Sequence, residues 1–308
     1  MDSLLFPPYI TKGDHAVIVS PSGKIDANFL QGARKHLKQW GLKVGMAVHA
    51  GGSHGWYAGT VRQRLHDLQA AFDNERVRLI FCSRGGYGAV HLIDRLDFTR
   101  FRQAPKWLVG FSDITALHNV IQHEGFASLH APMARQLTVE PADDAATRFM
   151  RETLFGEALP HYTLPAHRLN HRGTATGILR GGNLAVLSGL RGTPYDIPAP
   201  GTILFVEDVG ERPHSVERMF YNLKLGGVLE QLAGLIIGQF TEYDENLSLG
   251  KDLYAALADL LKEYPYPVCF DFPVGHTSQN MPLINGACVT LEVGKKETSL
   301  STHPYSHD

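Results

Sequence analysis

The 308-residue sequence has little net charge, few cysteines and no long apolar run. Lysine and arginine number 29 against 31 aspartates and glutamates, a formal charge of −2. No cationic excess exists to attract a phosphate backbone, so nucleic acid is not an expected partner. The three cysteines, Cys82, Cys269 and Cys288, are odd in number and far apart, with no CxxC pair. That excludes a disulfide framework and a zinc staple as first expectations. Cys82 sits in an apolar run and reads as a small buried hydrophobe. The 16 histidines show no HExxH or comparable ligand spacing, so neither a metal nor another cofactor is expected. No stretch approaches the roughly 20 apolar residues that cross a bilayer. The opening MDSLLFPPYITKGD lacks the basic region and long apolar segment of a signal peptide. The expectation is therefore a cytoplasmic chain with no membrane partner. With 44% hydrophobic and 19% charged residues, it is suited to a sizeable core and unlike a disordered tail.

The first half alternates short apolar runs with amphipathic stretches. Residues 15–20, 44–50, 76–83 and 107–111 read as strands. Asp26 caps a helix with Phe29, Leu30, Ala33, Leu37 and Trp40 at helical spacing, stopped by Gly41. Thr60 caps a second helix carrying Val61, Leu65, Leu68 and Phe72. Strands alternating with helices imply βαβ units. The expected N-terminal domain is thus a doubly wound α/β domain with a mainly parallel sheet covered on both faces, over residues 1–155. The texture then loses its period, and 156–175 reads as a linker. Residues 176–308 read as a C-terminal β-rich α/β domain, with strands at 202–208, 232–240, 266–275 and 287–293 and helices at 213–225 and 250–263.

Candidate chemistry gathers at the ends of these strands. In Gly110-Phe-Ser112-Asp-Ile114 the apolar strand stops and a helix with Ile114, Leu117, Val120 and Ile121 begins at once. Ser112 then lies on the strand-to-helix turn, at the carboxyl edge of the sheet. The N–H groups of a helix start favour a developing oxyanion there. The spacing resembles a nucleophile elbow but lacks the second glycine of G-x-S-x-G; Ser112 as a plain helix N-cap is the other reading. The loop Ser83-Arg84-Gly85-Gly86-Tyr87-Gly88 emerges at the same edge, where ligands bind in open α/β sheets. Its glycines let backbone N–H groups approach a ligand. Arg84 can grip a carboxylate with two prongs, or it is a surface arginine on a tight turn. In the second half, Glu207 ends an apolar strand and suits the orienting of a histidine, or an ordinary ion pair. His276 follows Gly275 on a loop and could act as a base, or be one histidine among many.

These segments resemble the LD-carboxypeptidases, the murein tetrapeptide carboxypeptidases of bacterial peptidoglycan recycling. The resemblance rests on Ser20-Pro-Ser-Gly23, Ala58-Gly-Thr60 with Arg64-Leu65, Arg84-Gly-Gly-Tyr-Gly88 and Gly110-Phe-Ser-Asp-Ile-Thr115. It continues through Gly181-Gly-Asn-Leu184, Glu207-Asp208, Val216-Glu-Arg-Met219 and Gly275-His276, in family order along nearly the whole chain. It implies a metal-free Ser–His–Glu triad at Ser112, His276 and Glu207. It places oxyanion donors on the backbone N–H groups of Asp113 and Gly86. The substrate implied is a small peptide that loses a terminal D-alanine, and the assembly implied is a homodimer. Arg84, with Arg218 second, is the candidate for holding the substrate's free carboxylate; Arg218 has a helix-surface ion pair as its other reading. Three alternatives remain at this point. One is an immunity-type amide hydrolase of the same family, acting on peptide-nucleotides or aminoacyl-nucleotides, with Trp56 and Tyr57 stacking on a base. The second is an inactive ligand-binding α/β protein, and the third an interaction scaffold.

Overall fold

Asp26 and Thr60 start two helices where their side chains can satisfy free N–H groups. Asp26 Oδ1 accepts from the Asn28 N–H at 2.7 Å, opening α1 (Ala27–Gln39) after β1 (His15–Val19). Thr60 and Gln63 form a reciprocal capping box at the start of α2 (Val61–Asp73), which follows β2 (Lys43–Met46). The far end of α2 is closed by Lys106. Its buried ammonium donates to the carbonyls of Phe72 at 2.7 Å and Asn74 at 3.0 Å, and burial lowers its pKa to about 8.

The computed structural model describes residues 4–141, 143–244 and 249–304. The chain divides into two compact units. The first is Leu4–Ala158 with Met281–Ile284; the second is Leu159–Asn280 with the chain from Asn285 onward. In the first unit β3 (Val77–Cys82), α3 (Thr99–Gln103), β4 (Trp107–Gly110), α4 (Thr115–His123), β5 (Ser128–His130), α5 (Ala134–Val139) and α6 (Ala145–Leu154) follow in turn. The strands β1 to β5 pair in parallel, as the alternation of strand and helix demands. A late segment, β11 (Leu283–Asn285), adds the edge beside β5, giving the order β11-β5-β4-β3-β1-β2.

The second unit is a seven-stranded mixed sheet of order β10-β9-β8-β7-β12-β13-β6. Its strands are β6 (His161–Pro165), β7 (Gly173–Asn183), β8 (Thr202–Val209), β9 (Gly234–Thr241), β10 (Val268–Cys269), β12 (Cys288–Val293) and β13 (Glu297–Thr302). The central strands β7 to β10 are parallel; β12, β13 and β6 extend the sheet in antiparallel fashion. The helices α7 (Leu184–Gly189), α8 (Pro213–Leu225) and α9 (Leu253–Leu261) share an apolar core with β8 and β9 that includes Leu187, Phe220, Leu257, Leu204 and Ile237.

Four local readings differ from the sequence expectation. The strand expected at 44–50 stops at Met46, because residues 47–50 turn back and the Ala50 carbonyl accepts the buried Ser20 hydroxyl at 2.6 Å. The segment 156–175 holds β6 and the start of β7. The long strand expected at 266–275 pairs regularly only at Val268–Cys269, since Asp271 turns the backbone to φ 59°. On α2 the buried face includes Arg64 and Asp67, while Leu65 is only half-buried. Both charged side chains are there because hydrogen bonds compensate their burial.

Thr60→Ala removes one half of the α2 capping box. A loss of about 1 kcal/mol of unfolding free energy is expected in denaturant titration; an unchanged midpoint would show that tertiary packing alone fixes that helix start.

Candidate active site

Buried β4 delivers the chain to Ser112 in an unusual backbone state. Phe111 is extended, and Ser112 then takes φ 64° at the first position of a 3-10 turn, Ser112–Ile114, that runs into α4. A non-glycine residue held in this left-handed region costs about 1–3 kcal/mol. The N-cap reading of Ser112 is thereby corrected. A cap residue has an extended backbone, and Phe111 occupies that position.

Neighbouring groups hold the turn in place. Asp113, buried behind the serine, accepts the Ser22 hydroxyl at 2.6 Å and the Ala89 N–H at 2.8 Å, both on Oδ2. His118 on α4 bonds the Gly110 carbonyl through Nε2 at 2.8 Å and the Ser128 hydroxyl through Nδ1 at 2.8 Å. A carbonyl can only accept, so Nε2 carries the proton and Nδ1 accepts from Ser128. Burial pushes the pKa of His118 down to about 4, which keeps the ring neutral.

The glycine loop comes directly against the nucleophile candidate. A Cβ added at Gly85 would lie 2.6 Å from Ser112 Cβ, 2.8 Å from its hydroxyl oxygen and 3.1 Å from the Asp113 nitrogen. Only a residue without a side chain fits there. The Gly85 carbonyl accepts the Gly23 N–H at 3.0 Å, which ties this loop to the one after β1. Gly86 is exposed beside it at φ 101°. Arg84 is exposed and donates through one guanidinium nitrogen to the Lys24 carbonyl at 2.7 Å.

Arg64, part of the Ala58-Gly-Thr60 and Arg64-Leu65 motif, has a structural role. It is 2% exposed and donates to the carbonyls of Gly59 at 3.1 Å, Pro21 at 2.5 Å and Gly88 at 2.7 Å, with its charge over the Tyr57 ring. One side chain thus gathers three loops of this edge. The signal was a charged residue three positions before Asp67 and four before Leu68, on a face that had to be buried.

In the second unit Glu207 and His276 meet. His276 Nδ1 and Glu207 Oε2 are 2.7 Å apart, and the carboxylate is fully buried. The β8–β9 pairing shifts register between Val206 and Asp208. Beside this irregularity Gln239 bonds Val274 at 3.0 Å and bridges to Gly275. Such irregularities redirect side chains. Gly275 stands at φ 130°, and a Cβ there would approach Glu207 Oε2 and the Gln239 carbonyl to 3.0 Å. Asn280, also buried, accepts the Gly275 N–H at 3.0 Å and fixes the loop; the sequence carried no sign of this role. Burial alone would lower the pKa of His276, but the hydrogen bond and charge of Glu207 outweigh it and raise the value. Asp208 is spent on structure. It accepts from Asn183, Ala185 and Val209, and burial raises its pKa to about 6. Arg218 is exposed on α8 and belongs to no ion pair among the described residues.

The structure therefore brings Ser112, Asp113, Gly86 and Arg84 to one sheet edge of the first unit. It joins Glu207 to His276 in the second, with Arg218 on a helix of that unit.

Two outcomes check these geometries. Ser112→Gly removes the left-handed strain and is expected to raise unfolding free energy by about 1 kcal/mol; a loss of stability would show the strain to be absent. An imidazole raised by a partner contributes stability below its unfolded pKa and loses it as pH rises through the folded value. An NMR titration should accordingly place His276 above the ordinary imidazole range in the native chain, and below it in Glu207→Gln, where burial dominates. Equal values in the two proteins would contradict the pairing.

Residues 17–131 match the LD-carboxypeptidase N-terminal domain, and residues 176–291 match the LD-carboxypeptidase C-terminal domain. The chain is 32% identical over 300 residues to a probable murein peptide carboxypeptidase of Bacillus subtilis (strain 168), covering 94% of this chain and 92% of the relative. It is 32% identical over 289 residues to a murein tetrapeptide carboxypeptidase of Pseudomonas aeruginosa, covering 89% and 92%. The solved muramoyltetrapeptide carboxypeptidase of Oxalobacter formigenes superposes with a TM-score of 0.85 at 29% identity, over 94% of this chain and 99% of that one. The microcin C7 self immunity protein MccF shares the fold, with a TM-score of 0.87 at 22% identity over 98% and 100%. Both domain matches together span most of the sequence, and the chain belongs to the LD-carboxypeptidase family.

Proposed function

We propose that the chain is a serine peptidase that cleaves an amide bond between an L-configured centre and a terminal D-residue, releasing D-alanine from a murein tetrapeptide. The observation that carries this reading is Ser112 at φ 64° with its hydroxyl against Gly85. A helix cap needs no such conformation, whereas a nucleophile that must project from a strand-to-helix turn does. The relatives named murein peptide and murein tetrapeptide carboxypeptidase support the substrate class.

In this mechanism His276 takes the proton of the Ser112 hydroxyl through Nε2 as the oxygen attacks the carbonyl. Glu207 holds Nδ1–H, selects that tautomer and stabilises the imidazolium that forms. The backbone N–H groups of Asp113 and Gly86 receive the oxyanion, each worth about 3 kcal/mol in the transition state. His276 then protonates the leaving D-alanine amine, and water, deprotonated by the same ring, cleaves the acyl-serine. Arg84 and Arg218 meet the substrate's free carboxylate.

One observation favours a second reading. Trp56 is 86% exposed, while its carbonyl is pinned by the Lys24 N–H at 3.1 Å. A displayed indole suits stacking on a nucleobase, as an aminoacyl-nucleotide amide would require. Hydrolysis of a murein tetrapeptide and of an aminoacyl-nucleotide amide, compared at equal enzyme, separates the two.

Ser112→Ala should lose at least about 10³-fold in D-alanine release from murein tetrapeptide, with circular dichroism and unfolding midpoint retained. Release within tenfold of the native rate would remove the serine mechanism.

A further inference from the structure

A second cluster of chemistry-bearing side chains lies on α2 and the turn after β2. His49 Nδ1 is 2.8 Å from Asp67 Oδ1, and His66 Nδ1 is 3.3 Å from the same oxygen. One potential ligand atom from each of the three residues lies within 4.8 Å of the other two. The other carboxylate oxygen accepts the His49 backbone N–H at 2.7 Å, which fixes the orientation of the group. Asp67 is buried, His49 half-buried and His66 exposed. No sequence spacing announced this set, because the turn brings His49 to a helix that begins a dozen residues later.

We propose that His49, His66 and Asp67 form a binding site for a divalent transition-metal ion of the zinc, nickel or copper type. Two imidazoles and one carboxylate are the donors such ions prefer, whereas magnesium and calcium favour oxygen alone. Donors bound at about 2.0–2.2 Å stand roughly 3 Å apart around one ion, and the two nitrogen–oxygen separations already have that size. Both rings present Nδ1 to one oxygen, so an ion would take the place of the two Nδ1 protons, which pass through water to Nε2 or to solvent, without moving the buried carboxylate. The hydrogen bond to Asp67 Oδ2 supplies the outer support that tunes such sites. The exposed His66 ring can close the set, and water can complete the coordination. Bound metal would fasten the turn at 47–50 to α2, the helix whose Arg64 gathers the loops at Pro21, Gly59 and Gly88. The site is separate from the serine chemistry, and its test does not depend on peptidase activity.

The test is calorimetric titration of the full chain, free of any histidine tag and stripped of metal, with zinc chloride. Cobalt(II) absorption reports the coordination independently. One ion per chain is expected, together with a cobalt spectrum of nitrogen and oxygen ligation. His66→Ala removes an exposed side chain and leaves the fold intact, and the loss expected in zinc affinity is at least about tenfold. The same loss is expected for His49→Ala, with the unfolding midpoint confirming that each variant is folded. Absence of one-to-one binding would overturn the site. So would an affinity unchanged by either substitution, since zinc would then reside on other histidines.

Discussion

A serine cannot keep a left-handed backbone by its own preference, and the first unit is organised around holding one that way. The strain at Ser112 persists because the residues on both sides are over-determined. Gly110 is fixed by His118 from α4, and Asp113 by the Ser22 hydroxyl and the Ala89 N–H. The loops after β1 and β3 therefore converge on the turn after β4, and Arg64 joins those two loops to each other. Gly85 has no side chain because the space a Cβ would take is filled by the serine. The parallel sheet makes this possible, since parallel strands direct their carboxyl ends to a common edge.

The second unit solves a complementary problem, that of giving a partner to a carboxylate where water cannot reach it. Glu207 is fully buried, and its Oε2 lies 2.7 Å from Nδ1 of the His276 ring. Placing the ring there takes an irregularity between β8 and β9, a glycine at 275 and an asparagine at 280. The neighbouring acid, Asp208, is occupied by the start of α7. Two adjacent carboxylates thus have different work, set by their surroundings and not by residue type.

Much of this was legible in the sequence. The caps at Asp26 and Thr60, the parallel sheet of the first unit and the position of Ser112 just past the end of β4 follow from pattern and local chemistry, whereas Glu207 lies inside β8, two residues before its end. What was not legible depends on contacts across the chain. The edge strand at 283–285 and strand β6 are too short or too polar to show a period. Ser112 read equally well as a cap, because φ is set by the tertiary ties of Asp113 and His118. The hydrogen bonds that satisfy the buried Arg64 and Asp67 come from carbonyls and an N–H group that only the folded chain brings to them. The pairing of His276 with Glu207 spans 69 positions, and no spacing rule predicts it.

The central claim is that Ser112, His276 and Glu207 act as one catalytic unit. Its most direct measurement is the rate of D-alanine release from murein tetrapeptide by Ser112→Ala, His276→Ala, and the variant lacking all three side chains. Residues that act as a unit are strongly non-additive. The account predicts that the triple variant is no slower than either single one. Losses that multiply from variant to variant, or a His276→Ala protein with native turnover, would contradict it.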